Sequence, residues 1–159
     1  SRLESQGLSF DKELEPEKRT LSPSDFGYHN ALRRSDGKVI FIDFEYFGWD
    51  NPAKLISDFL LHPANNFSND LKRRFLINIV DAFGDNTQLS HGIVTLHPLI
   101  GLKWCLLLLN EFVPEHIRRR SFAGGEPTNQ SEIQRRQLSL AKEMFERTNT
   151  EFERFPFND

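Results

Sequence analysis

The sequence predicts a mainly α fold with a short β-hairpin near its N-terminal end. Three observations favour this fold class: apolar residues recur at helical spacing after residue 50, capping residues mark helix starts, and the strand-like runs are confined to residues 30–44. A chain of 159 residues is long enough for one compact domain with its own core.

The N-terminal residues 1–20 are polar and charged, and they are predicted to form a linker or loose arm. The domain itself is predicted to span residues 21–159. Within it, a loop and hairpin over residues 21–50 precede a helical subdomain over residues 51–155.

A hairpin is predicted where two strand-like runs flank a tight polar turn. Asn30 to Arg33 forms the first strand, Ser35-Asp36-Gly37 the turn, and Lys38 to Phe44 the return strand. The apolar run Val39 to Ile42 is typical of a strand buried on both faces. Asp43 and Glu45 would then project to the same side, because side chains alternate along a strand.

Two helices with clear caps are predicted next. Asn51 caps the first, with Pro52 at its first position, and the helix runs to about His62. Ser68 caps the second helix, which ends at Gly84.

The rest of the chain is also predicted to be helical. The apolar stretch from Pro98 to about Val113 is predicted to form a central buried helix, too short and too polar to span a membrane. A basic loop, Pro114 to Gln130, is predicted to be solvated, with a place at the border of the acceptor pocket as the alternative. A capping box at Ser131 to Gln134 opens a long last helix that buries Met144 and Phe152, among others.

Composition narrows the classes of partner and compartment. A formal net charge of −3 and a pI of about 6.0 give no reason to expect nucleic acid or an anionic membrane as a partner. The single cysteine, Cys105, excludes an internal disulfide and fits a reducing compartment, so a cytoplasmic location is predicted. Cys105 lies in an apolar run and is predicted to be a buried, inert thiol.

Four polar residues around the predicted hairpin form a candidate phosphotransfer site. Asp25 and Asn30 are separated by four residues, and a turn and an apolar strand lead on to Asp43 and then Glu45. Phosphoryl transfer needs one carboxylate that takes the proton of the acceptor hydroxyl. It also needs oxygen ligands for Mg²⁺, which an amide and a second carboxylate supply.

This segment resembles the aminoglycoside phosphotransferase and choline kinase family, which has a protein-kinase-like fold. The family carries H-G-D-x-x-x-x-N followed, about a hairpin later, by I-D-x-E. The matching residues are Pro23-Ser24-Asp25 with Asn30, then Ile42-Asp43-Phe44-Glu45. The resemblance implies that Asp25 is the catalytic base and that Asn30 and Asp43 bind Mg²⁺. It covers Leu21 to about Pro63.

The resemblance extends to two further carboxylates and departs from the motif at two positions. Asp50 and Asp58 match the family's G-x-D-P-x-x-D-L segment, whose second Asp braces the catalytic loop from a helix. Pro23 stands where the motif has His, and Ser24 stands where it has Gly. The triplet Asp25-Phe26-Gly27 also matches the protein-kinase metal-binding sequence, but no D-x-x-x-x-N precedes it, so Asp25 is better interpreted as the base.

The resemblance implies the C-terminal lobe of a kinase-like fold, since the chain has no G-x-G-x-x-G and no room before Leu21 for an N-terminal lobe. The expected function is transfer of the γ-phosphate of ATP or GTP, with Mg²⁺, to a hydroxyl of a small acceptor: an amino sugar, a sugar or an amino alcohol. The fragment alone is expected to be inactive and to self-associate through the surface that the missing N-terminal lobe would cover. A pseudokinase-like binding module and a metal-dependent hydrolase are the alternatives.

Overall fold

The structure of the protein is a computed structural model that describes residues 13–84, 86–115 and 129–154. It is mainly helical (66%) with short antiparallel strands, which confirms the predicted mainly α class with a hairpin. Its α-helices within this part of the chain are α1 (Pro52–Leu61), α2 (Asn69–Phe83), α3 (Asn86–Leu108) and α4 (Gln130–Arg154).

In the described residues, four short strands form two separate two-stranded antiparallel sheets. Strand β1 (Thr20–Ser22) pairs with β4 (Gly48–Asp50), and β2 (Ala31–Arg33) pairs with β3 (Val39–Phe41). A 3-10 turn, Tyr28–Asn30, leads directly into β2. In the chain, the β2–β3 sheet lies between β1 and β4. Pairing of β1 with β4 therefore brings the two ends of residues 20–50 together.

The predicted hairpin is present, but its return strand is shorter and more exposed than expected. Gly37 takes the positive φ (84°) that the turn requires, and its N–H donates to the carbonyl of Arg34 at 3.0 Å. Strand β3 ends at Phe41, and Val39, Ile40 and Ile42 expose 49%, 44% and 41% of their surface. The prediction of a strand buried on both faces is wrong, because Val39, Ile40 and Ile42 are exposed, although the Phe41 ring packs 4.7 Å from that of Phe26.

Asp43 lies beyond β3 in a left-handed conformation, with φ of 64°. Strand alternation therefore does not decide where Asp43 and Glu45 point, and the prediction that they share a side loses its basis. A turn follows, in which the Phe47 N–H donates to the Phe44 carbonyl at 3.1 Å.

Local capping chemistry sets the ends of α1 and α2 as predicted. The Asn51 side chain accepts from the Ala53 N–H at 2.9 Å, Pro52 occupies the first turn, and His62 is the C-cap of α1. Ser68 caps α2, and Gly84 ends it with a left-handed φ of 72°.

Helix α3 differs from the predicted Pro98–Val113 helix at both ends and in its burial. It starts at Asn86, continues through Pro98, and gives way to a 3-10 turn at Leu109–Phe112. The segment Thr87–Phe112 has 26 residues and a mean hydropathy of 1.7, so by length and composition alone it could cross a membrane. The prediction that this segment is too short to span a membrane is therefore wrong. Length and composition of this kind are also found in core helices of soluble proteins. Only 28% of its most apolar window is buried, so the prediction of a central buried helix is also wrong.

The last helix begins one residue before the predicted capping box. The Asn129 carbonyl accepts from the N–H groups of Glu132 and Ile133, at 2.9 and 3.2 Å. Gln134 donates its amide to the Glu111 carbonyl at 3.1 Å, so the side chain expected to close the box is used elsewhere. Met144 is buried as predicted, whereas Phe152 is 45% exposed. The predicted basic loop, Pro114 to Gln130, lies mostly outside the described residues.

The chain divides into two compact units, Ser1–His97 and Pro98–Asp159. In the first unit, helix α1 supplies most of the core; the buried apolar residues described there are Ala53, Ile56, Phe59, Leu60, Leu61, Leu76, Leu89 and Ile93. In the second unit the buried apolar residues are Ile100, Cys105, Ala141 and Met144, and burial raises the pKa of the Cys105 thiol. Gly101 lets α3 and α4 approach closely, because a Cβ there would meet the Thr148 side chain.

Candidate active site at the Asp25 loop

The Asp25 loop is held in shape by hydrogen bonds from the 3-10 turn that follows it. Asn30 donates its Nδ2 to the Asp25 carbonyl oxygen at 3.0 Å and approaches the Asp25 Oδ2 at 3.3 Å. Because the amide nitrogen faces Asp25, the Asn30 Oδ1 is the atom left to bind a cation. The structure thus brings together the first two predicted site residues.

Asp43 is placed by the register of the hairpin. The Ile42 N–H donates to the Asn30 carbonyl at 2.9 Å, so the backbone of Asp43 follows immediately after a residue paired with Asn30. Asp43 itself is exposed. Glu45 is also exposed; its hydrogen bond and charge, together with the charge of Asp43, raise the pKa of the Tyr46 hydroxyl.

Two histidines that sequence reasoning did not assign to the site converge on Asp25. His29 Nε2 lies 3.0 Å from Asp25 Oδ1, and His62 Nε2 lies 3.5 Å from the same oxygen. The two imidazole rings stack nearly parallel, with centroids 3.9 Å apart and planes 7° apart. We call Asp25, His29, Asn30 and His62 the histidine cluster.

The histidine cluster has the residue types of a metal site, since possible ligand atoms of Asp25, His29 and His62 lie within 4.8 Å of one another. Two observations argue against a metal ion shared by the two histidines. A single ion cannot lie in the planes of two parallel stacked rings, and a metal-bound imidazole keeps the ion in its plane. The Ala64 N–H also donates to His62 Nδ1 at 3.1 Å, which leaves the ring proton on Nε2, facing the carboxylate.

Access to the histidine cluster is from the Asp25 side. The side chain of Asp25 is 46% exposed, whereas those of His29 and His62 are 23% and 15% exposed. A carboxylate that is reachable by a ligand, with its hydrogen-bond donors behind it, is suited to accept a proton from that ligand.

The two remaining predicted residues, Asp50 and Asp58, meet at Lys54 on helix α1. Lys54 Nζ lies 2.5 Å from Asp50 Oδ2 and 3.4 Å from Asp58 Oδ2. Burial alone would lower the pKa of Lys54, but the hydrogen bonds and charges of the two carboxylates outweigh it and raise that pKa. We call Asp50, Lys54 and Asp58 the lysine cluster. Asp58 is 6% exposed, so it is not the solvated helix residue that its type alone suggests.

An apolar cavity of about 230 Å³ adjoins the same 3-10 turn. Tyr28 from that turn lines it, together with Phe59 of α1 and Phe75 of α2. Arg74 is the one charged side chain in its lining, so this cavity offers no anionic group to a cationic acceptor.

A signal for His62 was present in the sequence. His62 follows Asp58 by four residues, one helical turn, so any helix that directs Asp58 towards the loop also directs His62 the same way. The spacing of the histidines along the chain showed no metal pattern, and their meeting in space depends on how α1 packs under the loop.

Comparisons with protein-family models, with curated proteins and with solved structures find no match for this chain.

Proposed function

We propose that this chain is the catalytic lobe of a small-molecule kinase, which transfers the γ-phosphate of ATP or GTP to a hydroxyl of a small acceptor. The observation that carries the proposal is the hairpin register. The Ile42 N–H donates to the Asn30 carbonyl, so Asp43 is next in the chain to a backbone partner of Asn30, and the Asn30 amide nitrogen donates to the Asp25 carbonyl. The three residues proposed here as base and Mg²⁺ ligands are therefore carried by one short loop and hairpin.

The roles follow from the chemistry of each group. Asp25 takes the proton of the acceptor hydroxyl while the hydroxyl oxygen bonds to the γ-phosphorus. The bond from that phosphorus to the β–γ bridging oxygen breaks, and the nucleoside diphosphate leaves with the electron pair. Mg²⁺, held through Asn30 Oδ1 and the Asp43 carboxylate, would neutralise the charge of the phosphate oxygens. The lysine cluster braces helix α1, which carries His62 to the loop.

Backbone strain also supports the proposed kinase function of this loop. Ser24 has a positive φ of 63°, and it occupies the position where the resembled motif has Gly. Asp43 also has a positive φ. Non-glycine residues adopt this conformation at a free-energy cost, and such residues concentrate at functional sites.

Exposed apolar side chains support a role for a further lobe. Between residues 21 and 49 large side chains lie open to solvent, and those more than half exposed are Tyr28, Leu32, Tyr46, Phe47 and Trp49. A covering lobe with a phosphate-binding loop and its lysine would bury such a surface. The isolated chain should therefore fold, transfer no phosphate and self-associate.

The deciding experiment is an assay of the full-length protein that contains this lobe, with Mg²⁺, ATP or GTP, and a panel of amino sugars, sugars and amino alcohols. Phosphorylated product that depends on nucleotide and acceptor is the expected result. Nucleotide binding without turnover would replace the proposal with a pseudokinase-like binding module, which the Pro23 substitution favours. Turnover without nucleotide would replace it with a metal-dependent hydrolase.

A further inference from the structure

The apolar cavity of about 230 Å³ lies within the first unit, between the 3-10 turn at Tyr28–Asn30 and helices α1 and α2. Packed protein interiors leave few voids larger than a water molecule, so a space of this size is unusual in a small domain. An apolar cavity of about 150 Å³ accepts benzene, so this one has room for a single ring with a short substituent. We call it the aromatic pocket.

Four aromatic rings form the walls of the aromatic pocket: Tyr28, Phe59, Phe67 and Phe75. Phe59 of α1 is only 7% exposed, and its ring centroid lies 4.6 Å from that of Phe75 and 5.2 Å from that of Phe67. Tyr28 meets Phe67 edge-on, with centroids 5.9 Å apart and planes at 71°. Aromatic rings attract one another in tilted and edge-to-face arrangements of this kind, so the pocket favours a ligand that contributes a further ring.

Helix α2 supplies the polar groups of the aromatic pocket. Four lining residues at helical spacing share one face of this helix: Leu71, Arg74, Phe75 and Asn78. Arg74 and Asn78 lie one turn apart and are both exposed, which places a guanidinium and an amide where the pocket opens to solvent.

The guanidinium of Arg74 is available to a ligand. No hydrogen bond or ion pair joins it to another described residue, whereas the neighbouring Arg73 pairs with Asp70 at 3.8 Å. No carboxylate is found among the described residues that line the pocket. A cationic ligand would therefore meet a like charge, and a carboxylate would meet a planar group that can donate two parallel hydrogen bonds to it.

We propose that the aromatic pocket binds a small aromatic carboxylic acid, with its ring among the four aromatic side chains and its carboxylate at Arg74. The proposal does not depend on the proposed kinase function, since no member of the histidine cluster or of the lysine cluster lines the pocket. Tyr28 lies in the same 3-10 turn as His29 and Asn30. A bound acid would therefore contact the turn that carries two residues of the histidine cluster.

A nuclear magnetic resonance titration of the chain with phenylacetate tests the proposal. Phenylacetate has one ring and an ionised carboxylate at neutral pH, and a ligand of this size should bind with a Kd on the order of a millimolar. Amide signals of Tyr28, Phe67 and Arg74 should shift saturably, and the ligand ring should show nuclear Overhauser contacts with Phe59. Failure to saturate, or shifts confined to other residues, would refute the site.

Two smaller probes separate the contributions of the ring and of the charge. Acetate lacks the ring and benzyl alcohol lacks the charge, so each should bind about tenfold more weakly than phenylacetate or worse. Benzyl alcohol that binds as tightly as phenylacetate would overturn the choice of an acid as ligand. Acetate that binds as tightly would overturn the choice of an aromatic ligand.

Matched substitutions on α2 test the role of Arg74. Arg74→Gln should weaken phenylacetate binding about tenfold, because a hydrogen bond to a charged group is lost, and should leave benzyl alcohol binding unchanged. Arg73→Gln removes the same charge from the same helix but not from the pocket lining, so it should match the wild type. Equal weakening by the two variants, or equal losses for both ligands in Arg74→Gln, would show that Arg74 does not recognise the carboxylate. Arg74 is exposed, so its variant should fold, and the comparison of the three probes on the wild type decides the ligand class independently of it.

Discussion

Helix α1 supports two carboxylate clusters that differ in how their charge is balanced. In the lysine cluster an ammonium group lies between two carboxylates, Asp50 and Asp58. In the histidine cluster the Asp25 carboxylate accepts from the neutral Asn30 amide and lies 3.0 Å from His29 Nε2, and its side chain remains 46% exposed. A carboxylate paired with a cation is stabilised as an anion and suits a structural role, whereas one held by neutral donors keeps its charge and a free lone pair for chemistry.

The largest effect should come from removing the charge of the histidine cluster. Asp25→Asn in the full-length protein should lower turnover a hundredfold or more, because general-base catalysis is lost, and should leave nucleotide affinity nearly intact. Steady-state kinetics and calorimetric titration with nucleotide measure the two quantities. Asp36→Asn, in the exposed hairpin turn, is the matched control. Unchanged turnover in Asp25→Asn would remove the functional contrast between the clusters.

Replacing the predicted metal ligands should weaken binding as well as rate. Asp43→Ala should reduce the affinity for the magnesium–nucleotide complex, because it removes a charged ligand. Asn30→Ala should act in the same direction but less strongly, since it removes a neutral one. Titration of Mg²⁺ at fixed nucleotide concentration checks both variants, and equal affinity in Asp43→Ala and the wild type would contradict the assignment.

Breaking the lysine cluster should affect stability rather than chemistry. Asp58→Ala removes a buried partner of Lys54 and should lower the free energy of unfolding by about 2 kcal/mol, less than for a fully buried pair because Lys54 is a third exposed. Urea unfolding of the chain measures this. Asp70→Ala, at an exposed pair with Arg73, should change it by about 0.5 kcal/mol or less. Comparable losses in the two variants would show that burial does not distinguish these carboxylates.

The smallest effect is a pH dependence that belongs to the lysine cluster. The pKa of Lys54 is raised in the folded state, so its contribution to stability is complete below the ordinary value of 10.5 and is lost as pH rises through the raised pKa. The unfolding free energy of the wild type should fall above that pH more steeply than that of Lys54→Met. The raised pKa of Cys105 also lowers stability as pH rises, and it does so in both proteins. The quantity to compare is therefore the difference in unfolding free energy between the wild type and Lys54→Met at each pH. Parallel pH profiles would refute the prediction.

Helix ends and the hairpin turn were predictable from the sequence, because a single residue sets the backbone conformation there. Asn51, Ser68 and Gly84 act as caps in the structure because each bonds or bends within a few residues of itself. Gly37 fixes the hairpin turn for the same reason.

Burial and side-chain convergence were less predictable, because they depend on neighbours that are distant in sequence. The apolar run Val39 to Ile42 suggested a buried strand, but only its Phe41 side chain is covered, by Phe26, and the other three are exposed. Asp25 and Asn30 were found because they share a short motif. His62 was missed because the packing of α1 brings it near Asp25. Its spacing of one helical turn from Asp58 did indicate that both side chains would point towards the loop.

The left-handed backbone at Ser24 and Asp43 restricts which residues evolution or an experimenter can place there. Only glycine, asparagine and aspartate adopt that conformation readily, so under the proposed function position 43 would have to satisfy a backbone requirement and a chemical one with the same residue. Asparagine at position 43 keeps the backbone and removes only the charge, whereas alanine changes both. At position 24 no chemistry requires serine, and glycine would release strain of about 1 kcal/mol. If the proposed roles hold, fewer residues can replace Asp43, the proposed Mg²⁺ ligand, than can replace Ser24, which precedes the proposed base.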